Sequence, residues 1–145
     1  MKKIFLILSL LISMHAINIH AQCIGAAAKT GAKTSSSGSG GIGIIIYSND
    51  VETVYNALRL ANYSITAGDT VTIFLLGKGV ELDTLAKTNN DIKMQVGLFT
   101  NVGGVIYGCG TCLKSRNNLT QQVCKMSSMG DLYDIIKNNK IVLTF

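Results

Sequence analysis

The chain has 145 residues, 48% of them hydrophobic and 14% charged, with a formal net charge of +5, four cysteines and no proline or tryptophan. That length suits one domain with a proper core and no need of a disulfide framework merely to fold. Both histidines, His15 and His20, fall in the first twenty residues, so a mature chain without that segment has no imidazole for Ser–His or Cys–His catalysis, His-ligated zinc or HExxH chemistry.

Lys2 and Lys3 precede the apolar run of residues 4–12, which has the length of a signal-peptide core and is too short to span a bilayer. Ala21 supplies the small residue before the cut, so residues 1–21 are predicted to be a signal peptide, leaving 124 of the 145 residues and no transmembrane span in the mature form. A lipoprotein anchored at Cys23 is the alternative. Against it, Gln22 occupies the position where a lipobox has a small residue, and the apolar run ends well before Cys23. On either reading the protein is exported, with a periplasmic location expected, and its thiols meet an oxidising compartment.

Residues 22–41 are small, polar and rich in glycine and serine, the composition of a flexible linker. Gly38, Gly40 and Gly43 match G-x-G-x-x-G, but the dinucleotide fingerprint follows a strand and opens a helix, whereas this one precedes the first strand. Four lysines lie in leader and linker, which leaves nine basic against eight acidic residues from Gly41 onward. No basic stripe with interleaved aromatics remains, and no nucleic-acid partner is expected.

The domain is predicted over residues 42–145. The β-branched run 42–47 reads as a strand buried on both faces. Ser48, Asn49 and Asp50 offer helix caps, with Glu52 at capping-box spacing from Asn49. Val51, Val54, Tyr55, Leu58, Ala61 and Ile65 recur at helical intervals, and Gly68 supplies the stop. Residues 70–76 form a second strand, Gly77-Lys78-Gly79 a turn, and residues 80–86 a short helix. A helix near 92–98, a third strand at 105–107 and a helix over 111–117 follow. Ser128 caps a last helix with Leu132, Ile135 and Ile136 facing inward, and residues 141–145 end the chain as a strand. Strands alternating with helices predict an α/β fold, a three-layer α/β/α sandwich around a mainly parallel sheet.

Ligands and chemistry in open α/β sheets collect beyond the carboxyl ends of strands. Cys109 is predicted at such an end, between Gly108 and Gly110, which leave the sulfur open to approach. The amides of the following helix, with Lys114 and Arg116 nearby, favour its thiolate. Cys112 comes one turn later, close enough to attack a sulfur bound to Cys109 or to form a disulfide with it. Thiol chemistry of this kind requires no cofactor and none is expected. A CxxC also occurs in zinc sites, but the further sulfur donors are Cys23 on the linker and Cys124, so no metal is expected either. Cys124 reads as a small, partly buried apolar residue. Ser48 and Asn49 end the first strand on the same rim and either line the pocket or cap the helix. Asn62-Tyr63-Ser64 and Asn118-Leu119-Thr120 match the glycosylation sequon, which is uninformative if the source is bacterial.

The segment 105–116, VIYGCGTCLKSR, resembles the active-cysteine segment of the DsrE/DsrF-like sulfur-relay family. The opening strand with its long helix, the strand and turn over 70–80 and the closing helix and strand over 131–145 are similar too. In that family a strand-end cysteine, followed seven residues later by arginine, accepts sulfane sulfur as a persulfide and passes it to a partner's cysteine. The resemblance implies Cys109 as carrier, Arg116 as the family's arginine and Cys112 as an extra, resolving thiol. The candidate substrate rim comprises Gly108, Gly110, Thr111, Arg116, Ser48 and Asn49. The resemblance also implies sulfur donors and acceptors as partners and a homo-oligomer, trimer or hexamer. Asn117 stands where a glycine often follows the arginine. Two further readings stay open: a binding module in which Cys109–Cys112 is only a structural disulfide, and a thiol–disulfide oxidoreductase. The missing proline argues against the latter, because thioredoxin-like folds place a cis-proline beside their CxxC.

Overall fold

The computed structural model describes residues 41–120 and 122–145; the predicted signal peptide and the linker before Gly41 lie outside them. The elements are β1 (Ile42–Ile46), α1 (Val51–Thr66), β2 (Val71–Leu75), a 3-10 turn (Gly77–Glu81), α2 (Leu82–Thr88), α3 (Asn90–Asn101), β3 (Val105–Cys109), α4 (Gly110–Ser115), β4 (Lys125–Ser127), α5 (Met129–Asn138) and β5 (Ile141–Thr144). The five strands form one parallel sheet in the order β4-β3-β2-β1-β5. Right-handed crossovers stepping from β1 to β4 place α1 to α4 on one face, and the return across to β5 places α5 on the other. Accordingly, a Cβ built on Gly43 of β1 would lie 2.8 Å from Ile135 Cγ2 of α5. The fold is the three-layer α/β/α sandwich.

The core is made where the apolar runs meet. Ile44, Ile46, Ile73, Phe74, Leu75, Phe99 and Leu113 are fully buried, each removal from water stabilising the fold by about 1.5–3 kcal/mol at most. In α1 the apolar interval delivers Val54, Ala57, Leu58 and Ala61 to this core, while Val51 stays exposed. The helix start also differs from expectation. Asp50, not Asn49, is the cap: its Oδ1 accepts from the Thr53 amide at 2.9 Å, and no Asn49–Glu52 box forms. At the other end Gly68, at φ +98°, takes the left-handed conformation that stops the helix. Its amide donates to Ile65 O and that of Asp69 to Ser64 O, both at 3.0 Å, the Schellman pattern.

Four more features differ from the sequence-based expectation. β4 has no signal of its own, because Lys125-Met126-Ser127 has neither an apolar run nor alternation; it is an edge strand that borrows its conformation from pairing with Tyr107–Cys109. Ile136 is exposed rather than inward, since α5 meets the sheet alone and buries only Leu132 and Ile135. The helix after β3 has six residues, which shortens the predicted 111–117 segment. Gly41, counted with the linker, already belongs to the fold: its carbonyl accepts from the Lys140 amide at 2.9 Å.

Two features of the backbone shape the carboxyl rim of the sheet. Register aligns Ile46 with Leu75 and Leu75 with Gly108, so β1, β2 and β3 end at one level and their loops leave from one rim. The turn after β2 lies directly on the end of β1, where a Cβ at Gly79 would be 2.0 Å from the Ile46 carbonyl oxygen. Only glycine lets these backbones touch.

Ser128 caps α5 as expected, in a full capping box with Asp131. Asp131 Oδ2 accepts from Ser128 Oγ at 2.7 Å, the Ser128 amide at 2.8 Å and Ser127 Oγ at 2.8 Å, tying the end of β4 to the start of α5. The Ser128 hydroxyl and amide, then Ser127, hold the carboxyl at about 2. A carboxylate depressed in the folded state adds stability that is complete above its unfolded pKa, about 3.9, and lost as pH falls through the folded value. The Asp131 carboxyl carbon followed by NMR is therefore expected to titrate near pH 2. Protection of the α5 amides should fall between about pH 4 and 2 in the wild type, and Asp131→Asn should flatten that limb. A midpoint near 4 would mean the box is open in solution.

Candidate functional site

Two sulfurs stand where β3 runs into α4. Cys109 is the last residue of β3 and the N-cap of α4, and Cys112 lies within its first turn. No disulfide joins them, and the Cys109 sulfur is near enough to act on the ionisation of Cys112. Their surroundings differ sharply. Cys109 is 3% exposed, inside the core cluster, whereas Cys112 is half-buried and borders solvent.

This corrects the expectation that flanking glycines leave Cys109 open. The space above Gly108 is filled by Cys124, whose Sγ would lie 2.7 Å from an added Cβ, and by Leu113. The space above Gly110 is taken by Met126 Cγ and the Ser127 carbonyl, each at 3.2 Å. The glycines are required by packing, and they do not open a channel. The amides of the following six-residue helix make no cap hydrogen bond to the Cys109 side chain.

Cys112 has what Cys109 lacks. The Gly77 backbone amide donates to its Sγ at 3.3 Å, within the range for sulfur acceptors. Burial, then the Cys109 sulfur, holds the Cys112 thiol above its ordinary value, while the Gly77 amide and the Arg116 charge pull in the opposite direction. Cys124 is a different case: burial, then the Asp83 carboxylate, pushes it up to about 11, in keeping with a packing residue.

Arg116 is fixed rather than free. Its Nε donates to Glu81 Oε1 at 3.1 Å, and Nη1 donates to the Cys112 carbonyl and to Ser115 Oγ, both at 3.3 Å. Glu81 Oε2 in turn accepts from Asn49 Nδ2 at 2.9 Å. The Asn49 bond first, and then Arg116, keeps the Glu81 carboxyl below the ordinary carboxylate range against the effect of its burial. A chain Asn49–Glu81–Arg116 thus crosses the rim and links the loops after β1, β2 and β3. The next residue, Asn117, adopts φ +50°, a left-handed conformation that suits glycine or asparagine.

Of the rim residues expected from sequence, Arg116 reaches Cys112 and Asn49 joins it through Glu81. Ser48 does not, because its hydroxyl accepts from the Asp50 amide at 3.0 Å in a local turn. Gly110 and Thr111 line a separate open groove of about 560 Å³ with Lys114, Met126, Ser127, Ser128, Met129 and Asp131. Sequence reasoning missed the Gly77 amide and Glu81. The signal that finds them is their place, since residues 77–81 follow a central strand at the same level as the other two loops. Among the described residues, no group of three or more His, Cys, Asp or Glu side chains is placed to hold a metal ion, and no helix is long and apolar enough to cross a membrane.

Exposure ranks Cys112 above Cys109, and the raised pKa of Cys124 puts that sulfur last. Iodoacetamide added at pH 8 to the reduced native protein should alkylate Cys112 before Cys109 and Cys124, with Cys124 at least about tenfold slower because so little of it is thiolate. Arg116→Ala should slow Cys112 about two- to fivefold by removing a favourable charge. Peptide mass mapping over time reads both, and equal rates at Cys109 and Cys112 would show the site to be open in solution.

Both the chain and its architecture are similar to known proteins. The DsrE/DsrF-like family matches residues 40–145. MJ0989, an uncharacterized protein of Methanocaldococcus jannaschii, is 31% identical over 100 residues, spanning 65% of this chain and 88% of its own. The ychN protein from E. coli is similar in structure with a TM-score of 0.64 and 18% identity, covering 74% of this chain and 100% of its own. BT1422, a conserved protein of unknown function from Bacteroides thetaiotaomicron, gives 0.61 and 20%, covering 73% and 95%. Those two structures speak for the fold. On the match over the whole domain, the chain belongs to the DsrE/DsrF-like family.

Proposed function

We propose that this protein is a sulfur carrier in which the Cys109–Cys112 pair accepts sulfane sulfur as a persulfide and gives it up to a partner thiol. Family membership supports a role of the sulfur-relay type in general. The observation that carries the finer reading is the pair itself: two adjacent, unbridged sulfurs at the carboxyl edge of a parallel sheet, one bordering solvent and hydrogen-bonded by a backbone amide. A thiolate attacks the outer sulfur of a donor, the donor's residue leaves with the bonding electrons, and the Cys–S–S⁻ so formed is attacked at its outer sulfur by the acceptor thiolate. The donor and acceptor are sulfane-sulfur compounds or proteins bearing them. Nothing in this chemistry requires a cofactor.

The carrier acts outside the cytoplasm, on the strength of the leader read over residues 1–21, and works as a homo-oligomer, as the resemblance implies. The exposed Met129, Tyr133 and Ile136, one helical turn apart along α5, give such an assembly an apolar stripe to use.

Reduced protein incubated with thiosulfate or polysulfide, desalted and weighed intact, should gain about 32 Da per bound sulfur and lose it again on addition of an acceptor thiol. The double variant Cys109→Ala/Cys112→Ser should gain nothing. A wild type that never gains this mass is not a sulfur carrier. N-terminal sequencing of the protein taken from its source organism should begin at Gln22, and a sequence beginning at Met1 would remove the basis for export.

A further inference from the structure

We propose that Cys112 is the sulfur that loads, with the Gly77 backbone amide as its hydrogen-bond donor, and that the buried Cys109 is the resolving thiol. This reverses the order that the family resemblance implies, and it rests on the carrier reading above. Three observations lead to it. Attack on a dissolved donor requires an open line to the nucleophile, and Cys109 at 3% exposure has none, whereas Cys112 borders solvent. The amide that faces a sulfur here faces Cys112, at 3.3 Å from Gly77. Such a donor favours a sulfur bearing negative charge and costs no reorganisation at the moment of attack. Finally, Cys109 caps the helix in whose first turn Cys112 lies, and it is buried in the core. A thiol so enclosed meets one reaction partner, its neighbour.

The order has chemical consequences. With thiosulfate, the Cys112 thiolate bonds to the outer sulfur as the sulfur–sulfonate bond breaks, and sulfite leaves with the electron pair. An acceptor thiolate that arrives next takes the outer sulfur and returns Cys112 as a thiolate. If none arrives, Cys109 attacks the inner sulfur. The Cys109–Cys112 disulfide forms, hydrosulfide departs with the bonding pair, and the Cys109 proton passes to water or to the departing hydrosulfide. The two cysteines are oxidised together and the sulfane sulfur is reduced to sulfide. Thiol–disulfide exchange with an external dithiol then restores the pair. The buried thiol therefore limits how long a cargo stays on Cys112, and the proper acceptor must outpace it.

The test locates the persulfide. Reduced full-length protein is exposed briefly to thiosulfate, trapped with excess iodoacetamide and fragmented by mass spectrometry. In wild type, the added sulfur is expected on Cys112. Cys109→Ala, a small apolar replacement for a buried residue, should load at Cys112 and hold the adduct at least about tenfold longer, releasing no sulfide. Cys112→Ser should lose at least about nine-tenths of the loading. Melting curves of both variants show whether they are folded, and the wild-type mapping stands without them. A persulfide found on Cys109 in the wild type, or undiminished loading of folded Cys112→Ser, overturns the assignment and leaves the carrier reading intact. No adduct on either sulfur overturns both.

Discussion

The hydrogen bond from the Gly77 amide to the Cys112 sulfur joins two loops that have no sequence proximity, and it exists because three parallel strands end at one level. Shift β2 against β3 by a residue and the amide misses the sulfur, while every side chain of the strand changes face. The turn is held in place from the other side, where Gly79 lies on the Ile46 carbonyl closely enough to exclude any Cβ. The site is thus built from backbone: two contacts made by glycines, one to a carbonyl and one to a sulfur, set the rim before any charged side chain is added.

The charged residues then stiffen that rim. Glu81 stands between Asn49 and Arg116 and satisfies both, and because it lies at the surface its ion pair contributes little to stability by itself. Its effect is geometric. Arg116 is kept against the Cys112 carbonyl, close enough for its charge to act on the thiol, and the loops after β1 and β2 are held to the same group. The arginine therefore reaches the sulfur through a fixed arrangement and not as a roaming cation.

How much of this was visible in the sequence depends on the scale of the pattern. Continuous β-branched runs such as residues 42–46 and 71–75 announce buried parallel strands, and the spacing of Val54, Leu58 and Ala61 announces a helix, because burial on that scale dominates local preference. β4 leaves no such trace, since Lys125-Met126-Ser127 is a strand only by virtue of its neighbour. The pair Cys109 and Cys112 and the partner Arg116 were legible from spacing and resemblance. Their relative exposure was not, since it depends on how the rest of the core packs around the strand end, which no local pattern records. Glu81 and the Gly77 amide were equally hidden, being functional by position and unremarkable by type.

The contact between Gly108 and Cys124 reaches beyond the chemistry. One position has no side chain, and the other places its sulfur in the space this leaves, so neither can drift without the other. Any branch of the lineage that acquires an alanine or serine at the first site must shrink or relocate the second. Packing beside the reactive pair would then change by exchanging volume between two places remote in the chain, with the pair itself left untouched.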